Sequence, residues 1–214
     1  MNAEKQLLNI YNLLYKEFGP QGWWPAKTKT EIIVGAILTQ NTSWKNVEIA
    51  LLSLKKEKLL NFSALKEVSL KKLSLLIRPS GYFNIKAKRL KNFVQFFFEE
   101  YKGSWRNIYL EPTDVLRQKI LMINGVGPET ADSILLYALN RAVFVVDAYT
   151  KRMLSRHHLI QMTDSYDTVQ RLFMDNLDHD VELFNEYHAL IVCLAKKYCL
   201  TNPQCNECCL NQCV

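Results

Sequence analysis

Apolar residues recur along this 214-residue chain in steps of three and four. Leu7, Ile10, Leu14 and Phe18 fall on one face of a first segment, and Leu90, Val94 and Phe97 on one face of a later one. That spacing predicts amphipathic helices packed through one side. From Ile32 to Leu38 the chain is more uniformly apolar, with Gly35 and Ala36 inside it. It predicts a buried helix, with a short strand as the alternative. Phe144-Val145-Val146 is β-prone but short. Arg78-Pro79-Ser80-Gly81 punctuates two helices. Seven glycines and six prolines suit short connections, and there is no repeat or low-complexity tract. The pattern predicts an all-α protein of about ten helices.

Composition agrees with a folded soluble chain: 49% apolar and 22% charged residues. No apolar run reaches the roughly 18–20 residues of a membrane helix. The first segment carries acids early and lacks the apolar stretch of a signal peptide, so a cytoplasmic location is expected. The formal net charge of +6 is compatible with a polyanionic partner without demanding one. Clusters at Lys55, Lys56 and Lys58, at Lys86, Lys88, Arg89 and Lys91, and at Lys151, Arg152 and Arg156 read equally well as solvated helix faces.

The cysteines are distributed differently. All six lie between Cys193 and Cys213, and five occupy the last 16 residues. A disulfide framework would spread its pairs through the fold, so this crowding reads as a ligand set. Cys199-x5-Cys205-x2-Cys208-x4-Cys213 suits a [4Fe–4S] cluster or a tetrahedral zinc ion, with Cys209 as an extra thiol. Cys193, in Leu190-Ile-Val-Cys-Leu-Ala, is expected in the core.

The segment from Leu121 to Ala131 carries the strongest local signal. A helix is expected to end near Asn124, a Gly125-Val126-Gly127 turn to follow, and a second helix to start at Pro128. The two glycines permit backbone geometry closed to other residues, and a helix start is a natural seat for a phosphate oxygen. Taken alone, the turn is also compatible with an ordinary helix–helix connection. Twenty positions after Gly127 stands Asp147, following Val143-Phe-Val-Val. An aspartate there is by itself equally compatible with a helix cap.

Hairpin and aspartate together resemble the helix-hairpin-helix Gly/Pro-Asp superfamily of DNA glycosylases, in its endonuclease III class. The resemblance runs from Trp23 to Cys213. It implies that Gly125, Val126, Gly127 and Thr130 hold the DNA backbone, that Asp147 is the catalytic carboxylate, and that the hairpin can take a monovalent cation through its carbonyls. Bifunctional members carry a lysine two residues after the second hairpin glycine. Here that position is Glu129, and a carboxylate cannot form a Schiff base. A monofunctional enzyme is therefore expected, without strand-nicking lyase activity.

Within the class, Trp23-Trp24-Pro25, the stretch Ile37-Leu-Thr-Gln40-Asn-Thr-Ser-Trp44, and Arg78-Pro-Ser-Gly-Tyr-Phe-Asn-Ile-Lys86-Ala-Lys88-Arg89 are similar to the 3-methyladenine glycosylases. That likeness implies an aromatic base pocket of Trp23, Trp24, Pro25 and Trp44, with core packing of the tryptophans as the alternative. It implies further DNA contacts from Gln40, Lys86, Lys88 and Arg89, with Gln40 filling the gap left by a flipped base. Alkylation makes the purine cationic, which suits indole faces and leaves a base that departs without protonation. Endonuclease III ends in C-x6-C-x2-C-x5-C around a [4Fe–4S] cluster; here two gaps are one residue shorter.

The family resemblance implies two helical lobes with the active cleft between them. Residues 25–141 would form a central lobe with the hairpin, and residues 1–24 and 142–214 a second lobe with the cysteine cluster. The implied partner is double-stranded DNA containing damaged bases, with no membrane and no nucleotide cofactor. An oxidised-pyrimidine or mismatch glycosylase, or a non-catalytic DNA-binding module, are the competing functions. His188, in Glu-Tyr-His-Ala, reads as a structural histidine and is left outside the site.

Overall fold

The computed structural model describes residues 2–22, 26 and 28–211. Every regular element among them is helical, and none is long and apolar enough to cross a membrane. Two compact units divide the chain, one of Ala26–Leu139 and one of Met1–Pro25 with Asn140–Val214.

The first unit holds α2 (Lys29–Leu38), α3 (Trp44–Lys56), α4 (Phe62–Glu67), α5 (Leu70–Leu76), α6 (Phe83–Tyr101), α7 (Trp105–Leu110), α8 (Thr113–Leu121) and α9 (Pro128–Ser133). Arg78–Ser80 is a single 3-10 turn, and α9 runs on into a π turn at Ile134–Ala138. The apolar stretch expected as a buried helix is α2, whose residues from Ile33 to Leu38 are all buried. Thr28 starts it, its hydroxyl accepting from Glu31 N. An all-round apolar helix is stable only when enclosed, and α2 packs on α3, α6 and the π turn. On α6 the buried positions Lys86, Leu90, Phe93, Val94 and Phe97 make one stripe. Phe97 meets Phe62 and Trp105, with ring centroids 5.0 and 4.6 Å away.

The helices on either side of the hairpin are tied by a buried ion pair. Arg117 on α8 gives Nε to Asp132 Oδ1 at 2.7 Å and Nη2 to Oδ2 at 3.0 Å. Asp132 on α9 is fully enclosed. A forked arginine contact fixes direction as well as distance, so it orients one helix on the other.

The second unit holds α1 (Ala3–Phe18), α10 (Ala148–Arg156), α11 (Tyr166–Met174) and α12 (Val181–Lys197), with a 3-10 turn at Cys205–Glu207. Helix α12 is central and packs against both α1 and α10. Tyr187, fully buried on α12, donates its hydroxyl proton to Leu7 O on α1 at 2.8 Å. The β-prone Phe144-Val145-Val146 is buried yet forms no strand. Side chains satisfy its backbone instead: Phe144 N donates to Met174 Sδ, Gln170 donates to Phe144 O, and Val146 N donates to the Tyr166 hydroxyl. With those groups satisfied and Phe144 stacked on Phe173 at 3.6 Å, no partner strand is needed.

Removing one member of a buried ion pair strands the other. Asp132→Asn should therefore lower unfolding stability by about 3–5 kcal/mol, read as a fall in the urea midpoint. Replacing both partners, Arg117→Met with Asp132→Leu, should recover most of that loss.

Candidate active site

The hairpin follows α8 directly. Val126 N closes the turn on Ile123 O at 3.0 Å, and Ala131 N bonds Gly127 O at the start of α9. Gly125 has φ +92, and a Cβ there would lie 2.4 Å from Arg89 Cγ. Glycine is thus required twice at this position, for its dihedral angle and for the approach of Arg89. Val126 is buried and its N–H is used within the turn. Within the protein its part is to pack and close the hairpin. Glu129, at the family's lysine position, is exposed in the first turn of α9.

Two other elements of the same unit converge on the hairpin. Gln40, just beyond the end of α2, donates through Nε2 to Gly125 O and to Thr130 Oγ1, each at 3.0 Å. Its Oε1 accepts from Arg89 Nη1 on α6. Filling a gap in DNA would require Gln40 to leave these bonds. Lys88 is exposed. Lys86 is not, and the expectation that it contacts DNA is corrected. At 1% exposure its ammonium donates to Leu38 O at 2.7 Å and to Ser80 O at 2.6 Å. Burial, and then the Arg89 charge, lowers its pKa to about 8. It caps the carbonyl end of α2, two residues before Gln40, and so steadies the hairpin's support.

In the other unit, Asp147 is the N-cap of α10. Its Oδ1 accepts from Thr150 N at 2.7 Å and from Thr150 Oγ1 at 2.9 Å. Its Oδ2 lies 3.5 Å from His188 Nε2, an electrostatic contact longer than a well-formed hydrogen bond. Both side chains are largely enclosed, 13% and 8% exposed. Burial alone would push the carboxyl's pKa up. The His188 contact, followed by the two Thr150 bonds, outweighs it and holds Asp147 below the usual carboxylate value. A desolvated carboxylate kept anionic can stabilise a developing cation or orient a water molecule. His188 is the residue that sequence reasoning missed.

Helix α12 leads into the cysteine tail. Arg156 on α10 donates to Cys199 Sγ at 3.2 Å and to Leu200 O at 2.6 Å, fastening the tail's start. Burial raises the Cys208 thiol, and the neighbouring Cys199 and Cys205 raise it further. Cys209 is pushed up to about 12 by burial, then by Cys208 and Glu17. Among the described residues no cysteine forms a disulfide, and no three His, Cys, Asp or Glu side chains converge on a metal position. Cys193 is half-buried rather than core, donating to Gln21 Oε1 at 2.9 Å. Trp44 opens α3, half-buried, its indole N–H on Glu48 Oε1 at 2.9 Å. Trp23, Trp24, Pro25 and Cys213 lie outside the described residues.

Residues 34–179 match the family model described as HhH-GPD superfamily base excision DNA repair protein. The chain belongs to the HhH-GPD superfamily. It is a DNA glycosylase of base excision repair. This HhH-GPD protein is 51% identical over 209 residues to a Methanocaldococcus jannaschii protein provisionally named DNA repair glycosylase MJ1434, covering 97% of this chain and 94% of that one. It is similar to the crystal structure of H. pylori 3-methyladenine DNA glycosylase (MagIII) bound to 1,N6-ethenoadenine. The TM-score is 0.78 at 30% identity, over 92% of this chain and 98% of the other. A non-covalent endonuclease III–DNA complex shares the fold, with a TM-score of 0.83 at 21% identity over 99% and 95% of the two chains. The all-α expectation is met.

Gly125→Ala should destabilise the protein by about 1–3 kcal/mol, since it meets both the left-handed dihedral and Arg89. Arg89→Ala in the same chain removes the collision but not the dihedral. Thermal unfolding should show the double variant recovering part of the loss relative to Gly125→Ala.

Proposed function

We propose that this HhH-GPD protein is a monofunctional glycosylase that hydrolyses the N-glycosidic bond of flipped alkylated purines, 3-methyladenine among them, acting in the cytoplasm on nucleoid DNA. The observation that carries this reading is a largely enclosed Asp147 carboxylate, held by Thr150 and faced by His188, in a chain that has an exposed carboxylate, Glu129, where a lyase would have an amine. The substrate class draws support from the likeness to MagIII, solved with an alkylated adenine, at 30% identity. One lobe, residues 25–141, would bring the hairpin to DNA. The other, residues 1–24 and 142–214, would bring Asp147.

As the bond breaks, its electron pair leaves with the base and the deoxyribose carbon takes on oxocarbenium character. Asp147 stabilises that charge and orients the water that attacks it. An N3-alkylated adenine departs as a neutral base, so no acid is needed at the leaving group. Gly125, Gly127 and Thr130 would seat the phosphate backbone, as helix starts do. Arg89, Lys88 and Gln40 would lie beside it, and Trp23, Trp24, Pro25 and Trp44 would line the base pocket.

Cys199, Cys205, Cys208 and Cys213 are proposed to hold a [4Fe–4S] cluster, with zinc as the alternative. Their spacing supports this, as does the influence of Cys199 and Cys205 on Cys208. The cluster would order the tail, and no step of base release passes through it. Protein purified without oxygen should carry iron and acid-labile sulfide, lost in Cys208→Ser and retained in Cys209→Ser. Stoichiometric zinc without sulfide would replace the cluster assignment.

An oxidised-pyrimidine or mismatch activity has its own support, a 26% identity over 178 residues to the endonuclease III of Sulfolobus acidocaldarius. Base release from methylated DNA separates the two. Wild type should free 3-methyladenine, Asp147→Asn should be slower by at least about 100-fold, and nicks should appear only after alkali. Activity on thymine-glycol DNA instead would overturn the substrate class, and nicking without alkali would overturn the monofunctional assignment.

A further inference from the structure

Asp147 and His188 come from elements far apart in the chain, α10 and α12, which pack directly on each other. The carboxylate's two oxygens face different surroundings. Oδ1 is occupied by the backbone and hydroxyl of Thr150, neither of which is charged. Oδ2 faces the His188 imidazole. The approach to Asp147 in the chain, residues 143–146, is apolar and buried. Other ionic groups on the surrounding elements are engaged elsewhere. Lys151 donates to Asp164 O, Arg152 to Ala195 O, and Glu186 accepts from Gln21 N. From α1, Tyr11 is influenced by Glu186, Tyr15 and Asp180. The His188 imidazole is the side chain that faces Oδ2 of Asp147.

We propose that His188 is a positioning residue for Asp147, fixing the orientation of the carboxylate from α12 through its approach to Oδ2. It acts through Asp147 and does not touch the reacting atoms. A carboxylate has about four lone-pair directions, so binding Thr150 on one oxygen and facing His188 on the other leaves directions open toward a sugar or a water molecule. Without His188, Thr150 would still orient Oδ1, but its two bonds alone would oppose burial in the protonation equilibrium. The carboxyl would then be protonated at a higher pH, and the neutral acid can neither stabilise a cation nor accept a proton. Because Asp147 is active as the anion, the rate should be level near neutrality and fall as the pH drops through its pKa. Loss of His188 should move that fall upward.

This inference rests on the glycosylase reading for its kinetic arm only. The first test is therefore independent of activity: the Asp147 carboxyl carbon is followed by NMR through an acid titration of DNA-free protein, assigned with Asp147→Asn. Wild type should titrate below the ordinary carboxylate range, and His188→Leu higher than wild type by about 1 pH unit or more. His188→Gln, which keeps an N–H donor without the charge, should fall between them, and it serves as the probe should the leucine variant not fold. The second test is the single-turnover rate of base release from methylated DNA against pH, corrected for spontaneous loss with Asp147→Asn. Its acid limb should move by the same amount, with KM little changed. Titration of Asp147 at the same pH in all three proteins would overturn the proposal, whatever the substrate proves to be. A raised KM with an unmoved acid limb would overturn it too, because His188 would then be touching the base. Failure of base release with the NMR shift intact would count against the substrate reading alone.

Discussion

The Asp147 carboxylate is held in two opposed ways, and the second unit is arranged around that opposition. As the N-cap of α10 it satisfies a backbone donor that has no partner inside the helix, the N–H of Thr150. As an anion among buried apolar side chains it would ordinarily take up a proton, because removing a charge from water is costly. The positive end of α10, the two Thr150 bonds and the imidazole of His188 act together against that tendency. Each depends on helix placement. Arg152, one turn into α10, reaches Ala195 O on α12, and Arg156, a turn further, grips the start of the cysteine tail. The helix that carries the carboxylate is therefore anchored along its length to the helix that carries its partner.

The hairpin unit obeys a different constraint. Its turn is short, and much of what holds it comes from outside it: Gln40 from the end of α2, Arg89 from α6, and the Arg117–Asp132 pair between α8 and α9. Lys86 secures the helix end from which Gln40 projects. A charged side chain buried in this way is tolerated because carbonyl oxygens satisfy it, and the cost of desolvating its ammonium shows as a lowered pKa. The glycine pair, read in the sequence as conformational freedom for a DNA-facing turn, also makes room for this internal bracing.

What the sequence made legible was local or periodic. The hairpin stood out because glycine and proline at fixed offsets have few meanings, and α2 because seven consecutive apolar or small residues have few places to go. Asp147 became legible by its distance from the hairpin together with the family resemblance. His188 did not, because its partner lies 41 positions away on another helix. Its neighbours Tyr187, Ala189 and Leu190 give it the pattern of an ordinary core residue. Lys86 was misread for a different reason. Charge groups it with Lys88 and Arg89 on the surface, yet it stands four residues before Leu90 and seven before Phe93, on the buried stripe of α6. The helical phase separating it from Lys88 was present, and charge was allowed to outweigh it. The β-prone residues before Asp147 went the other way, since a strand is defined by a partner and side chains took the partner's place.

Folding alone does not account for an aspartate at position 147. Asparagine caps a helix start about as well, its side-chain oxygen accepting the same bonds without a charge to desolvate. The neutral residue would spare the unit a buried anion and leave His188 with nothing to oppose. Serine or threonine would serve nearly as well. That the position instead holds the one form that needs a neighbouring imidazole and a helix terminus to stay ionised means that the charge is what these contacts maintain. A carboxylate kept anionic against burial is an expensive arrangement for a cap and an apt one for a group that must meet a developing cation. In this chain that opposition between burial and compensating contacts is concentrated where α10 meets α12.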